Sequence, residues 1–205
     1  MSRKRVVVFI SGGGSNMEAL IRAAQTPDFP ADIVSVFSDK LDAGGLAKAQ
    51  TAGIATQVFT RKDYVSKDAH EGAILEALAV INPDIICLAG YMRLLSGKFI
   101  APYEGRILNI HPSLLPLFPG LHTHQRALDA GMKLAGCTVH LVTEGMDEGP
   151  ILAQAAVPII DGDTEGSLAA RVLKAEHKIY ADALRKFAGG EPKTGLAPDE
   201  MLISA

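Results

Sequence analysis

The 205-residue sequence contains no tryptophan, only two cysteines, and aromatic residues at just 5%. Two cysteines cannot build the dense disulfide framework on which small secreted domains depend. Cys87 and Cys137 each lie in an apolar segment, at no spacing typical of a metal site or a disulfide. We therefore interpret both thiols as core residues of a protein that works in the reducing cytoplasm.

A charge excess and a long apolar run are also missing. The formal net charge is -3 and charged residues make up 21% of the chain, so no basic excess favours nucleic acid. No apolar run approaches the ~20 residues that cross a membrane, and the apolar stretch near the N-terminus is too short for a signal peptide. We expect neither nucleic acid nor a membrane as a partner.

What is present is an alternation of strand and helix patterns. Short β-branched runs, beginning with "RVVVFI", alternate with longer segments of helical period, and hydrophobic residues reach 48%. This pattern predicts one α/β domain with a doubly wound, mostly parallel sheet, and an antiparallel strand or two towards its C-terminal part. We place the domain at residues 1–190 and expect residues 191–205, which show no periodicity, to form a peripheral tail.

A glycine-rich loop, "ISGGGSN", follows the first strand and opens the first helix. Small residues let backbone N–H groups approach an anion, and a helix N-terminus favours negative charge. Met17 replaces the third glycine of the dinucleotide fingerprint, and no Walker lysine follows, so we predict a seat for one phosphate and no nicotinamide cofactor. A tight turn without a ligand is the alternative. Asp39, at the end of the second strand, is either a ribose-binding carboxylate or a cap or solvated turn residue.

The stretch "NIHPSLLP" ends a later strand. The period of two places Asn109 and His111 on the same side, and Pro112 prevents a helix from starting there. Asp147 lies just past the strand "CTVHLV". If these strands are neighbours, the three side chains converge at the carboxyl edge of the sheet, where α/β folds bind ligands. The alternative is a polar strand end with a capping asparagine.

A carboxamide, an imidazole and a carboxylate together suit acyl transfer. The carboxamide N–H stabilises a carbonyl oxyanion, the imidazole carries a proton, and the carboxylate orients the imidazole. No activated serine or cysteine is evident nearby, because Cys137 falls inside an apolar strand. The set therefore favours direct transfer of an acyl group to an amine through a tetrahedral intermediate.

The last helical segment carries a carboxylate on its apolar side. Steps of four from Val172 reach Glu176 and then Tyr180. A buried carboxylate needs a partner, which is either an arginine or lysine of the chain or a cationic substrate. His122 and His124 with His140 could in principle bind zinc, but no fourth ligand follows at a recognisable spacing. We expect no metal, and we interpret His140 as a core histidine with its hydrogen bonds satisfied.

Five blocks of the sequence together carry a resemblance: "ISGGGSN", "LAGYMRLLS", "LNIHPSLLPLFPGLHTHQRAL", "GCTVHLVTEGMDEGPILAQ" and "RVLKAEHKIYADAL". With these blocks in this order, the chain resembles the phosphoribosylglycinamide formyltransferases, the folate-dependent enzymes of purine biosynthesis, over about residues 5 to 190. The "HPSLLP" block is shared with the wider formyltransferase superfamily, whereas the glycine loop and the Glu176 helix point to the phosphoribosylglycinamide enzymes within it. The resemblance implies a Rossmann-like formyltransferase fold.

The resemblance also implies roles for individual residues. The catalytic trio would be Asn109, His111 and Asp147. The phosphoribosylglycinamide substrate would be bound by Gly14, Ser15, Asn16, Met92, Pro112 and Glu176. The 10-formyltetrahydrofolate co-substrate would contact Lys67, Met92, Arg93, Leu94, Leu95, Asn109, Thr143 and Asp147. The family often has an arginine near position 67, and a lysine there keeps the charge but loses the bidentate fork.

The resemblance implies attack of the glycinamide amine on the formyl carbon, with both partners small molecules. The sequence does not decide between a monomer and a homodimer. Three enzymes with a similar centre are less compatible with the sequence. A methionyl-tRNA formyltransferase would carry a further C-terminal domain. A formyltetrahydrofolate deformylase would carry an N-terminal regulatory domain. A sugar-nucleotide formyltransferase would need more than a loop for a single phosphate. A non-catalytic nucleotide-binding module would explain the glycine loop but not the trio.

Overall fold

In the computed structural model, which describes residues 2–190, each of the seven apolar, strand-like runs of the sequence forms a strand. The strands are β1 (Lys4–Ile10), β2 (Ala31–Ser38), β3 (Ala55–Val58), β4 (Ile85–Leu88), β5 (Ile107–His111), β6 (Leu134–Leu141) and β7 (Ile151–Pro158). They form one sheet in the order β3-β2-β1-β4-β5-β6-β7. Strands β1 to β5 pair in parallel, whereas β6 pairs antiparallel with both of its neighbours, β5 and β7. The predicted doubly wound, mostly parallel sheet with antiparallel strands near its C-terminal part is confirmed.

Helices cover both faces of the sheet. They are α1 (Ser15–Ala24), α2 (Gly44–Thr51), α3 (Lys67–Ile81), α4 (Gly97–Ile100), α5 (Thr123–Asp129) and α6 (Glu165–Gly189), with single 3-10 turns at Arg61–Asp63 and Ala101–Tyr103. One buried cluster joins β-strand residues to α1, α2 and α6, and a second joins the other face to α3 and α4. Within residues 2–190, no helix combines the length and the apolar character needed to cross a membrane.

The topology creates a crevice at the carboxyl edge of the sheet. Strands β2 and β3 lie on one side of β1, and β4 to β7 lie on the other, so the strand order reverses between β1 and β4. Open α/β sheets bind ligands outside the carboxyl ends of the strands at such a reversal. The glycine loop that follows β1 and the end of β5 both lie at this edge. The predicted tail, residues 191–205, falls outside the described residues, and the domain limit at residue 190 stays a prediction.

Candidate active site

The glycine loop, residues 12–16, leads from β1 into α1. Gly14 adopts φ 70° as the residue before α1, a left-handed conformation in which glycine is unstrained. No side chain caps the first N–H groups of α1, and a Cβ at Gly12 or Gly13 would meet nothing within 4 Å. Open space therefore lies beside backbone N–H groups at a helix N-terminus, the arrangement that binds a phosphate.

The backbone of the glycine loop lies directly against the first turn of α2. A Cβ on Gly14 would lie 2.8 Å from the Cα of Gly45, and Gly45 donates its N–H to the carbonyl of Gly12 at 3.0 Å. Only glycine at both positions allows this approach. The loop is thus held in one conformation by α2 as well as by α1.

Glu176 is buried, as its position on the apolar stripe of α6 predicts, and is only 7% exposed. Its Oε2 accepts a hydrogen bond from Asn16 Nδ2 at 2.7 Å. None of the ion pairs formed by residues 2–190 joins Glu176 to an arginine or lysine. Burial raises the pKa of the Glu176 carboxyl, while the Asn16 hydrogen bond and a positive charge on His111 act in the opposite direction. Glu176 therefore offers a poorly compensated negative charge next to the glycine loop.

Packing of α6 against the sheet determines where Glu176 lies. Tyr180, one turn further along α6, is fully buried, and its hydroxyl proton is shared between the carbonyls of Leu88 and Leu108, each 3.1 Å from the hydroxyl oxygen. These carbonyls belong to β4 and β5, the strands that lead to the carboxyl edge. The helix is therefore fixed in rotation, and the Glu176 carboxylate is held at the crevice.

Asn109, His111 and Asp147 converge, although not by the route that the sequence suggests. His111 Nδ1 lies 3.3 Å from Asp147 Oδ2, and His111 Nε2 lies 3.1 Å from the carbonyl of Phe118. Strand β6 runs antiparallel to β5, so its last residue pairs with Leu108 and not with the end of β5. Asp147 reaches His111 because the loop of residues 142–150 folds back over the sheet, and Gly120 N–H donates to Asp147 Oδ2 at 2.9 Å.

His140 is the site residue that sequence reasoning missed. It is 2% exposed, as expected of a core histidine, but it lies opposite Asn109 in the β5–β6 register. Its Nε2 lies 3.1 Å from Asn109 Nδ2 and 3.7 Å from Asp147 Oδ1, while its Nδ1 lies 3.0 Å from the carbonyl of Leu141. Burial lowers the pKa of His140, which favours the neutral ring. A neutral ring with its proton on Nδ1 accepts from Asn109 and so fixes the orientation of the carboxamide.

The segment of residues 92–95, here called the wall segment, crosses the site without helix or strand. Met92, Arg93 and Leu94 are exposed, and Leu95 is partly buried. At its start, Arg93 Nε lies 2.7 Å from the buried Asp39 carboxylate. The interpretations of Asp39 as a cap or a solvated turn residue are therefore wrong.

The end of the wall segment is held by a second buried carboxylate. Glu71, which is 5% exposed, accepts the N–H of Ser96 at 3.0 Å and also its hydroxyl. Lys67 Nζ lies 3.6 Å from the same carboxylate, and the lysine side chain is half exposed. Lys67 is thus close to the end of the wall segment.

The remaining predicted residues lie around this crevice. Pro112 is partly buried directly after His111, and Thr143 is exposed in the same 142–150 loop as Asp147. Burial raises the pKa of the Cys137 thiol to about 12, which makes it a poor nucleophile. Among residues 2–190, no group of three histidine, cysteine or acidic side chains is arranged to hold a metal ion.

Comparison with known proteins assigns the family. A family profile described as Formyl transferase matches residues 4–184. Phosphoribosylglycinamide formyltransferase of Escherichia coli (strain K12) is 45% identical over 92% of this chain and 89% of its own length. The chain belongs to the phosphoribosylglycinamide formyltransferase family. A crystal structure of the family member from Brucella melitensis superimposes with a TM-score of 0.91 at 77% identity, covering 100% of both chains.

Some relatives are much longer proteins. The chain is 49% identical to the trifunctional purine biosynthetic protein adenosine-3 of Bos taurus over 94% of its own length, but it spans only 19% of that relative. It therefore corresponds to one segment of the trifunctional proteins and to nearly all of the bacterial formyltransferases.

Proposed function

We propose that this formyltransferase moves the formyl group of 10-formyltetrahydrofolate to the amine of 5'-phosphoribosylglycinamide in purine biosynthesis. The products are the N-formyl compound and tetrahydrofolate. The observation that supports this most strongly is the convergence of Asn109, His111 and Asp147 at the sheet edge between the glycine loop and the wall segment. We assign the phosphate to the glycine loop, the folate to the wall segment, and the reaction to the polar centre between them.

The phosphoribosyl end binds at the glycine loop. The N–H groups of Gly14, Ser15 and Asn16 hold the phosphate at the N-terminus of α1. Glu176 accepts hydrogen bonds from the ribose or from the glycinamide amine, which compensates its buried charge. Met92 and Pro112 contact the substrate between the loop and the reacting amine.

The folate binds between two loop segments that lack helix and strand. One is the wall segment, which places Met92, Arg93, Leu94 and Leu95 along the pterin ring. The other is the 142–150 loop, which contributes Thr143 and Asp147. Lys67 supplies a positive charge close to the end of the wall segment.

The chemistry is direct attack of the amine nitrogen on the formyl carbon. The oxyanion that develops accepts hydrogen bonds from the Asn109 carboxamide and from the protonated ring of His111. Both His111 nitrogens face acceptors, and only the imidazolium form donates from each. When the oxyanion forms, His111 Nε2 exchanges its contact with the Phe118 carbonyl for the oxyanion, while Nδ1 stays paired with Asp147.

Collapse of the tetrahedral intermediate breaks the bond between the formyl carbon and the folate nitrogen. The folate nitrogen leaves with a proton, and the attacking amine loses one, so that the product is a neutral amide. Asp147 supports the charged imidazole and assists this proton transfer through a water molecule. No acyl-enzyme forms, in keeping with the raised pKa of Cys137.

We also place the enzyme in the cytoplasm. Cys87 and Cys137 are both free and buried, and they form no disulfide. Such thiols suit a reducing compartment.

The test is to incubate the purified protein with 10-formyltetrahydrofolate, with and without 5'-phosphoribosylglycinamide, and to follow tetrahydrofolate release. Release that requires the amine supports the transferase. Release without the amine indicates a hydrolase, and no release in either case indicates a binding module; each of these two results overturns the proposal.

A further inference from the structure

Asp39 is a buried carboxylate to which the reaction described above assigns no role. It follows β2 and is 2% exposed. Burying a charge is costly unless hydrogen bonds compensate it, and both oxygens of Asp39 are compensated. Oδ1 accepts the hydroxyl of Ser11 at 2.5 Å, and Oδ2 accepts Nε of Arg93 at 2.7 Å. With 2% exposure, the Asp39 carboxylate is not accessible to a ribose, so the ribose-binding interpretation of Asp39 is not supported.

The partners of Asp39 belong to both substrate loops. Ser11 immediately precedes the glycine loop, and its Oγ also accepts the backbone N–H of Met92 at 2.8 Å. Arg93 is the second residue of the wall segment. One carboxylate thus holds the side chain of Arg93 directly and the backbone of Met92 through Ser11.

The wall segment needs such an anchor because it lacks the backbone hydrogen bonds of a helix or a strand. Residues 91–96 form neither helix nor strand, and Arg93 carries a long side chain that is 44% exposed. An arginine in this position would otherwise sample many rotamers, and ordering it on ligand binding costs free energy. The ion pair with Asp39 pays that ordering cost before the folate arrives.

We propose that Asp39 is a positioning residue for the folate, acting through Arg93 and Met92. The inference rests on the proposed binding of the folate at the wall segment. Asp39 sets the rotamer of Arg93 and the path of the backbone at Met92, and it does not itself touch a substrate. Its loss therefore weakens folate binding and leaves the chemical step at Asn109 and His111 nearly unchanged.

Asp39→Asn tests this with almost no change in shape. The amide oxygen can still accept the Ser11 hydroxyl, which keeps Met92 held, whereas the negative charge opposite Arg93 Nε is lost and the NH2 group faces the guanidinium donor. We expect the Kd for tetrahydrofolate, measured by calorimetry, to rise about tenfold. This is the lower end of the range for the loss of a hydrogen bond to a charged group. The KM for 10-formyltetrahydrofolate rises in parallel, while kcat and the KM for phosphoribosylglycinamide change less than about threefold.

Arg93→Ala shows whether Asp39 acts through the guanidinium. In that background, Asp39→Asn should raise the tetrahydrofolate Kd much less than it does in the wild type, because the shared contact is already gone. Asp163→Asn is a matched control. Asp163 forms a similar pair with Arg171 Nη1 at 2.6 Å, next to the edge strand β7, and its loss should lower stability without changing the folate Kd.

An unchanged tetrahydrofolate Kd in folded Asp39→Asn overturns the proposal. So does a rise in the KM for phosphoribosylglycinamide as large as the rise in the KM for 10-formyltetrahydrofolate, since this would mean a general loosening of the fold. Equal effects of Asp39→Asn with and without Arg93 overturn the route through the guanidinium. Because tetrahydrofolate binding is measured without turnover, these results differ from a failure of the transferase assay, in which the wild-type protein itself does not transfer the formyl group.

Discussion

Asp147→Asn tests the negative charge of Asp147 while leaving the side chain in its place in the fold. Asp147 adopts φ 57°, a left-handed conformation that asparagine tolerates well. The amide oxygen of asparagine can still accept the N–H of Gly120, which now lies 2.9 Å from Oδ2. The 142–150 loop should therefore keep its conformation, and what is lost is the negative charge 3.3 Å from His111 Nδ1.

The distance gives the size of the effect. Two unit charges 3.3 Å apart interact by about 5 kcal/mol at an effective dielectric constant of about 20. The amide dipole replaces part of this, so we expect a loss of about 2–3 kcal/mol from the transition state, in which His111 is charged. That corresponds to a fall in kcat of roughly 30- to 160-fold.

The assay is tetrahydrofolate release at saturating concentrations of both substrates. Both KM values should stay within about threefold of the wild type, because the lost interaction belongs mainly to the transition state. Glu148→Gln is the matched control: it removes an exposed carboxylate from the adjacent position of the same loop, and kcat should change less than twofold. If Asp147→Asn is folded, as judged by its thermal melt, and keeps kcat within threefold, the charge of Asp147 does not assist His111.

Three further predictions concern neighbouring side chains. Asn109→Ala and His111→Ala should each lower kcat at least ~10²-fold, the usual size for one lost oxyanion donor, and near-normal turnover in either would contradict the assignment. His140→Phe removes the ring nitrogen that orients the Asn109 carboxamide. We expect kcat to fall about tenfold because one catalytic group is misplaced, and both KM values to stay unchanged. Glu176→Gln removes a buried carboxyl group, and burial raises the pKa of that carboxyl. The contribution of Glu176 to the free energy of unfolding is therefore fully present below about pH 4.5 and is lost as the pH rises through the raised pKa. In urea unfolding the variant should therefore match the wild type at pH 4 and exceed it at pH 8, while its KM for phosphoribosylglycinamide rises about tenfold or more; a variant less stable than the wild type at pH 8 would be inconsistent with this argument.

Local patterns in the sequence predict much of the site. A period of two suffices to place Asn109 and His111 on one side of β5, and helical steps of four suffice to turn Glu176 inward, because both depend only on the geometry of a single element. The position of the glycine loop follows in the same way from a strand that ends where a helix begins.

What the sequence does not predict depends on contacts between distant segments. Asn16 and Glu176 are 160 residues apart, and nothing local identifies them as partners. The role of His140 depends on the β5–β6 register, which the pattern of one strand does not determine. Asp39 lies at a strand end, where a carboxylate is solvent-exposed in many proteins, and its contacts with the distant residues Ser11 and Arg93 are not visible in the local pattern.

The contact between the backbones of Gly14 and Gly45 has a consequence for how binding free energy is divided. Since α2 already holds the glycine loop, a phosphate bound there as proposed would meet a preformed site, and little chain entropy would be lost on binding. Association at this end should be fast and close to rigid-body docking. An alanine at Gly45 would drive its methyl group to within 2.6 Å of Ile10 Cδ1, so the seat would open and its preformed shape would be lost.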